Sequence, residues 1–183
     1  MTIRNITIHW SAGNDRTKYD EYHYNVSGDL AEVTQTLGTS VKGSHTWMRN
    51  TGNIGCAFDA PGPSEVMPVA LEAMSKLIAE LACKFNLDPK GTITLPAYKR
   101  VGVPDSESDK LIPTGGTITA HVVSDHAMFA ELDGYPNDRW DVGSRLPASD
   151  PRNLYAVIMP KVHYYYDELK AGKCHFEHTV NMK

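Results

Sequence analysis

The chain predicts an α/β fold: a central mixed β-sheet flanked by helices, organised as one domain over 1–183. Two features of the residue pattern lead there. Short runs rich in β-branched and aromatic residues crowd the first third of the chain, separated by turn residues. Between Ser64 and Asn86 the apolar period switches to 3.6, the spacing of an amphipathic helix. A third feature locates function. Two apolar runs, Ile6-Thr7-Ile8-His9 and Ile118-Thr119-Ala120-His121, end in histidine, and sheets of this class present ligands at the C-terminal ends of their strands.

The elements follow in order. A first strand is expected over 4–10, then an irregular polar stretch. Tyr22-His23-Tyr24-Asn25-Val26 and Leu30-Ala31-Glu32-Val33-Thr34-Gln35 read as two strands joined by a hairpin turn at Ser27-Gly28-Asp29. Ile54-Gly55-Cys56-Ala57-Phe58 reads as a buried strand, and Ala60-Pro61-Gly62-Pro63 as a break. In the helix that follows, Met67, Ala70, Leu71, Met74, Leu77, Ile78, Leu81 and Phe85 share a stripe, and Pro68 fits only in its first turn. Residues 96–116, with Pro96, Pro104, Pro113, Gly115 and Gly116, read as a long surface loop. A strand over 117–121, a short helix over about 125–132 and a last helix from Asp150-Pro151 to about 170 complete the set, with Pro160 expected to kink or split that helix. Residues 172–183 read as a tail; its Cys174-His175-Phe176-Glu177-His178 segment looks metal-like but has no partner loop.

Composition narrows the function. At 183 residues, 41% hydrophobic and 22% charged, the chain has the make-up of a soluble globular protein with a core of its own. A net charge of -4 argues against nucleic-acid binding and gives no attraction to an anionic membrane, so no stable membrane association is expected. Cys56, Cys83 and Cys174 form neither a disulfide framework nor a CxxC pair. The start Met1-Thr2-Ile3-Arg4-Asn5 lacks an apolar leader, which predicts synthesis without a signal peptide.

His9, His121 and Asp141 together would supply two imidazoles and a carboxylate, leaving one position of a tetrahedral zinc open, as hydrolytic sites do. His126 is five residues from His121, the wrong spacing for one helix face, and is set aside. Asp133 and Asp138 are the competing carboxylates, and both are expected to be dispensable.

Here the chain resembles the zinc-dependent N-acetylmuramoyl-L-alanine amidase family, with the amidase/peptidoglycan-recognition-protein fold, and within it the phage endolysins. The resemblance runs in order from Ile6 to about Gly143. It passes through Ile8-His9-Trp10-Ser11-Ala12-Gly13, Tyr22-His23-Tyr24, His45, Asn50-Thr51-Gly52-Asn53-Ile54-Gly55, the long helix, Thr119-Ala120-His121 and Arg139-Trp140-Asp141. It implies one Zn2+ per chain on His9, His121 and Asp141, with Tyr22 and Arg139 as catalytic groups that stabilise an oxyanion. His45, Trp47 and Asn53 would meet substrate, and His23 would be structural.

Three departures stand out. Arg139 replaces the usual lysine and is a poor proton donor. Asp141-Val142-Gly143 replaces Asp-Pro-Gly. Ala57 replaces the glutamate of the cytoplasmic-recycling branch, which excludes a general base there. The implied activity is cleavage of the amide between N-acetylmuramic acid and L-alanine of the stem peptide by a bacteriolytic phage endolysin. Such a protein is expected to be a monomer, made in the host bacterial cytoplasm and acting on the cell wall after release. A binding-only peptidoglycan-recognition module is the alternative.

Overall fold

Five strands form the central sheet: β1 (Asn5–Trp10), β2 (Tyr24–Ser27), β3 (Val33–Gln35), β4 (Asn53–Asp59) and β7 (Val123–Asp125), in the order β3-β2-β4-β1-β7. The neighbours β2/β4, β4/β1 and β1/β7 are parallel and β3 is antiparallel, so the sheet is mixed. This is a computed structural model, and it describes residues 1–13, 17–104, 106–134 and 141–173. Helix α1 (Pro68–Lys84) starts with Pro68 in its first turn, where the missing N–H costs no hydrogen bond. Helix α3 (Leu154–Lys170) packs against α1.

Strand alternation divides the sheet into two unlike faces. Ile6 and Ile8 of β1, Tyr24 and Val26 of β2, and Ile54, Cys56 and Phe58 of β4 join Met74, Leu77, Ile78 and Ile158 from the helices in one buried core. The intervening residues Thr7, His9, Asn25, Asn53 and Ala57 are equally buried but mostly polar. They occupy the opposite face, and that face carries the site.

Residues 96–116 are not a surface loop. Strands β5 (Thr92–Val101) and β6 (Lys110–His121) pair antiparallel as a separate two-stranded hairpin, with a register shift between Pro96 and Tyr98. The prolines and glycines mark no break, because in a two-stranded ribbon each strand is an edge that tolerates a missing donor. The hairpin leans on α2 (His126–Leu132) through Leu95, Ala120 and Phe129. Two smaller differences concern ends. Helix α3 is capped by Asn153, whose side chain accepts from Ala156 N–H, so Asp150-Pro151 lies in the turn before it, and the helix runs on through Pro160. Tyr22 and His23 precede β2 instead of opening it. The Cys174–His178 segment lies outside the described residues.

Candidate metal centre

His9 is the second-last residue of β1, on the polar face and 1% exposed. Next to it, β7 ends at Asp125, in parallel register with Ile8. One residue further, His126 opens α2. Parallel pairing of two strand ends therefore brings His9 and His126 side by side, with ring centroids 5.4 Å apart. Asp141 arrives from the loop before α3 and is anchored by the Trp10 backbone N–H, which donates to its Oδ1 at 3.1 Å. His9 Nδ1 lies 3.4 Å from Asp141 Oδ1, and His126 Nδ1 lies 3.6 Å from Asp141 Oδ2. One ligand-type atom from each residue falls within 4.8 Å of the other two.

His121 is not part of this cluster. It is exposed at the end of β6, paired with Thr92 in the hairpin and not with the central sheet. The second imidazole is His126. Its five-residue separation from His121 is irrelevant, because the two never share an element. The signal that marks it is Ser124-Asp125: Asp125 is a helix N-cap, accepting from Met128 N–H at 2.7 Å. A strand that ends at an N-cap delivers the next side chain to the sheet edge.

Asp125 also links two ligand-bearing segments. Its Oδ1 accepts from Ser144 Oγ at 2.6 Å and its Oδ2 from Ser144 N at 3.1 Å, tying the loop after Asp141 to the residue before His126. Burial pushes the Asp125 carboxyl up to about 6, against the hydrogen bonds from Ser144 and Met128. Gly143 closes the same loop with φ +78°, and a Cβ there would stand 2.5 Å from the Arg152 carbonyl oxygen, so only glycine fits.

The cluster forms the floor of an open cleft of about 590 Å³, whose walls include Trp10, Tyr22 and His45. The Tyr22 ring stands 5.1 Å from that of His9. Burial, then the charge of Asp141, raises the Tyr22 phenol far above its ordinary value, so it stays protonated and able to donate. Burial works to raise Asp141, but His9, His126 and the Trp10 N–H outweigh it and hold the carboxyl below its ordinary value. An ionised carboxylate facing two imidazole nitrogens is a setting that calls for a cation. Two nitrogens and one oxygen fit zinc, whereas magnesium and calcium favour all-oxygen sites.

Besides His121, three expected site residues lie away from the cleft wall or outside the described residues. Asn53 is fully buried beneath it, its Oδ1 accepting from the Thr7 hydroxyl at 3.0 Å. Trp47 packs against Leu111 and Ala130, towards the hairpin. Arg139 and the competing Asp138 lie outside the described residues. The other competitor, Asp133, is committed to Arg49 by contacts of 2.6 and 3.1 Å and accepts from Tyr98 N. Ala57, in register with His9, offers only a methyl group.

A family model described as N-acetylmuramoyl-L-alanine amidase matches residues 1–139. The structure is similar to the crystal structure of Staphylococcus aureus hydrolase AmiA in complex with its ligand. The TM-score is 0.56 at 14% identity, with 93% of this chain and 76% of that one covered. No curated protein matches the sequence.

Proposed function

Since the chain belongs to the N-acetylmuramoyl-L-alanine amidase family, we propose that it is a zinc-dependent peptidoglycan hydrolase. Its substrate bond is the amide between N-acetylmuramic acid and L-alanine of the stem peptide. The observation that carries this reading is the convergence of His9, His126 and Asp141 on the floor of an open cleft. These three side chains would hold one zinc per chain. When bound, zinc supplies an activated water and polarises a carbonyl.

The remaining work falls to the chain's own groups. Trp10 N–H orients the Asp141 carboxylate, and the Asp125–Ser144 contacts hold its loop against the start of α2. The Tyr22 hydroxyl donates to the carbonyl oxygen as negative charge develops there, a role typically worth a hundredfold or more in rate. The family resemblance gives Arg139, two residues before Asp141 in sequence, the role of a cation for that developing charge. Ala57 rules out a carboxylate base at its position, which supports a place among the phage endolysins. Cleavage consumes one water, frees the L-alanine amine and leaves the lactyl carboxylate. The working unit is a monomer acting on the wall after release from the host; among the described residues no helix is long and apolar enough to cross a membrane.

The test is mass spectrometry of purified peptidoglycan digested by zinc-loaded protein. Stem peptides with a free L-alanine amine are expected, vanishing with chelator and returning with added zinc. Glycan or peptide-crosslink cleavage would contradict the assignment. Binding to the wall without any cleavage would favour the recognition-module reading.

A further inference from the structure

We propose that His45 is a positioning residue that leaves His9 Nδ1 free for the metal by accepting the proton held on His9 Nε2; this rests on the metal reading above. The two nitrogens of His9 have opposite surroundings. Nδ1 faces Asp141 Oδ1 at 3.4 Å. Nε2 faces His45 Nδ1 at 3.0 Å and Thr46 Oγ1 at 3.3 Å. A neutral imidazole carries one proton, and the nitrogen that ligates a metal must be the other one. With Nδ1 turned to the carboxylate and the second imidazole, the proton belongs on Nε2. With His9 only 1% exposed, that proton needs a protein acceptor.

His45 is built to be that acceptor. Its Nδ1 faces His9 Nε2 at 3.0 Å, and its Nε2 has no hydrogen-bond partner among the described residues. Two imidazole nitrogens 3.0 Å apart share one proton, so with that proton on His9 the His45 Nδ1 keeps its lone pair and its own proton stands on Nε2. The Thr46 hydroxyl, 2.9 Å from His45 Nδ1, closes the group.

The ring has no freedom to leave this place. Asn50 Oδ1 accepts from the backbone N–H groups of both His45, at 3.0 Å, and Thr46, at 2.7 Å. A Cβ on residue 55 would stand 2.6 Å from the His45 ring, so Gly55 is the slot that admits it. His23 closes the rear edge-on at 5.6 Å. Its own tautomer is fixed: Gly55 N–H donates to its Nδ1 at 3.0 Å, so its Nε2–H donates to Val41 O at 2.9 Å. A histidine meant only to touch substrate needs none of this. His45 is 6% exposed, with one edge at the cleft and its Nδ1 on His9.

The experiment pairs imidazole nitrogen NMR with zinc affinity measured by chelator competition. In the zinc-loaded parent, the His9 proton is expected on Nε2. His45→Leu should lose on the order of ten- to a hundredfold in zinc affinity. His45→Asn, whose Oδ1 reaches the place of Nδ1, should recover most of that loss, a rescue that a substrate contact would not produce. A His9 proton on Nδ1 in the zinc-loaded parent overturns the proposal. So does parent-like zinc affinity in a folded His45→Leu. If that variant does not fold, the tautomer in the parent decides alone. A parent that binds no zinc overturns the metal centre itself and this inference with it.

Discussion

Under the proposed chemistry, Tyr22 is the side chain at which turnover and metal binding separate. Its ring lies over His9, but its hydroxyl is a proton donor at any working pH and no ligand. Tyr22→Phe is therefore expected to keep zinc while losing about ten- to a thousandfold in turnover on purified peptidoglycan. Equal turnover at equal zinc content would reduce Tyr22 to a groove wall. Arg49 and Asp133 are the contrast, a buried charged pair engaged with each other outside the His9, His126 and Asp141 cluster. Their side chains are 4% and 0% exposed, and the guanidinium lies over the rings of Tyr98 and Phe129 at 5.0 and 5.1 Å. Removing one partner leaves a buried charge alone, so Asp133→Asn should cost roughly 3–5 kcal/mol in denaturant unfolding. The sequence offered Asp133 as a dispensable carboxylate. Its ion pair with Arg49 gives it a part in the fold, and a melt unchanged by Asp133→Asn would contradict that.

At the scale of elements, the site depends on two strand ends and one loop being held together. The Asp125–Ser144 contacts join the segments that carry His126 and Asp141. Ser144→Ala removes the hydroxyl and is expected to destabilise by about 1 kcal/mol. It should also weaken zinc binding through a looser Asp141, by up to the tenfold range of outer-shell losses. Unchanged zinc affinity would make the contacts a plain helix cap.

This scale also shows what the sequence could and could not convey. Strand β1, the α1 stripe with Pro68 in its first turn and the β2–β3 turn were legible, because periodicity and turn chemistry are local. His9 was legible as a candidate for the same reason, and Asp141 through the family resemblance around Arg139-Trp140-Asp141. His126 was not, because its place follows from β7 pairing with β1 across more than a hundred residues of sequence. The long β6 run ending in His121 outshone a three-residue strand. His45 carried no local mark of its contact with His9, since the Gly55 slot exists only in the folded sheet.

Across the whole molecule, the sheet separates stability from chemistry: helices cover its apolar face, and its buried polar face carries the cleft. A titration on the helical side follows from this. Burial raises Glu80 of α1 from 4.5 to about 7. In the native state it therefore holds its proton between those values while the unfolded chain has released it, so its contribution to stability falls as pH rises through that window. Glu80→Gln should match the parent near pH 4 and melt at a higher temperature near pH 8. A difference that does not change with pH would refute the burial effect.

The central claim is the identity of the second imidazole. Metal analysis of purified His126→Ala and His121→Ala, each shown to be folded, tests it directly. The geometry predicts that His126→Ala loses its zinc while His121→Ala retains about one per chain; zinc kept by the first and lost by the second would contradict it.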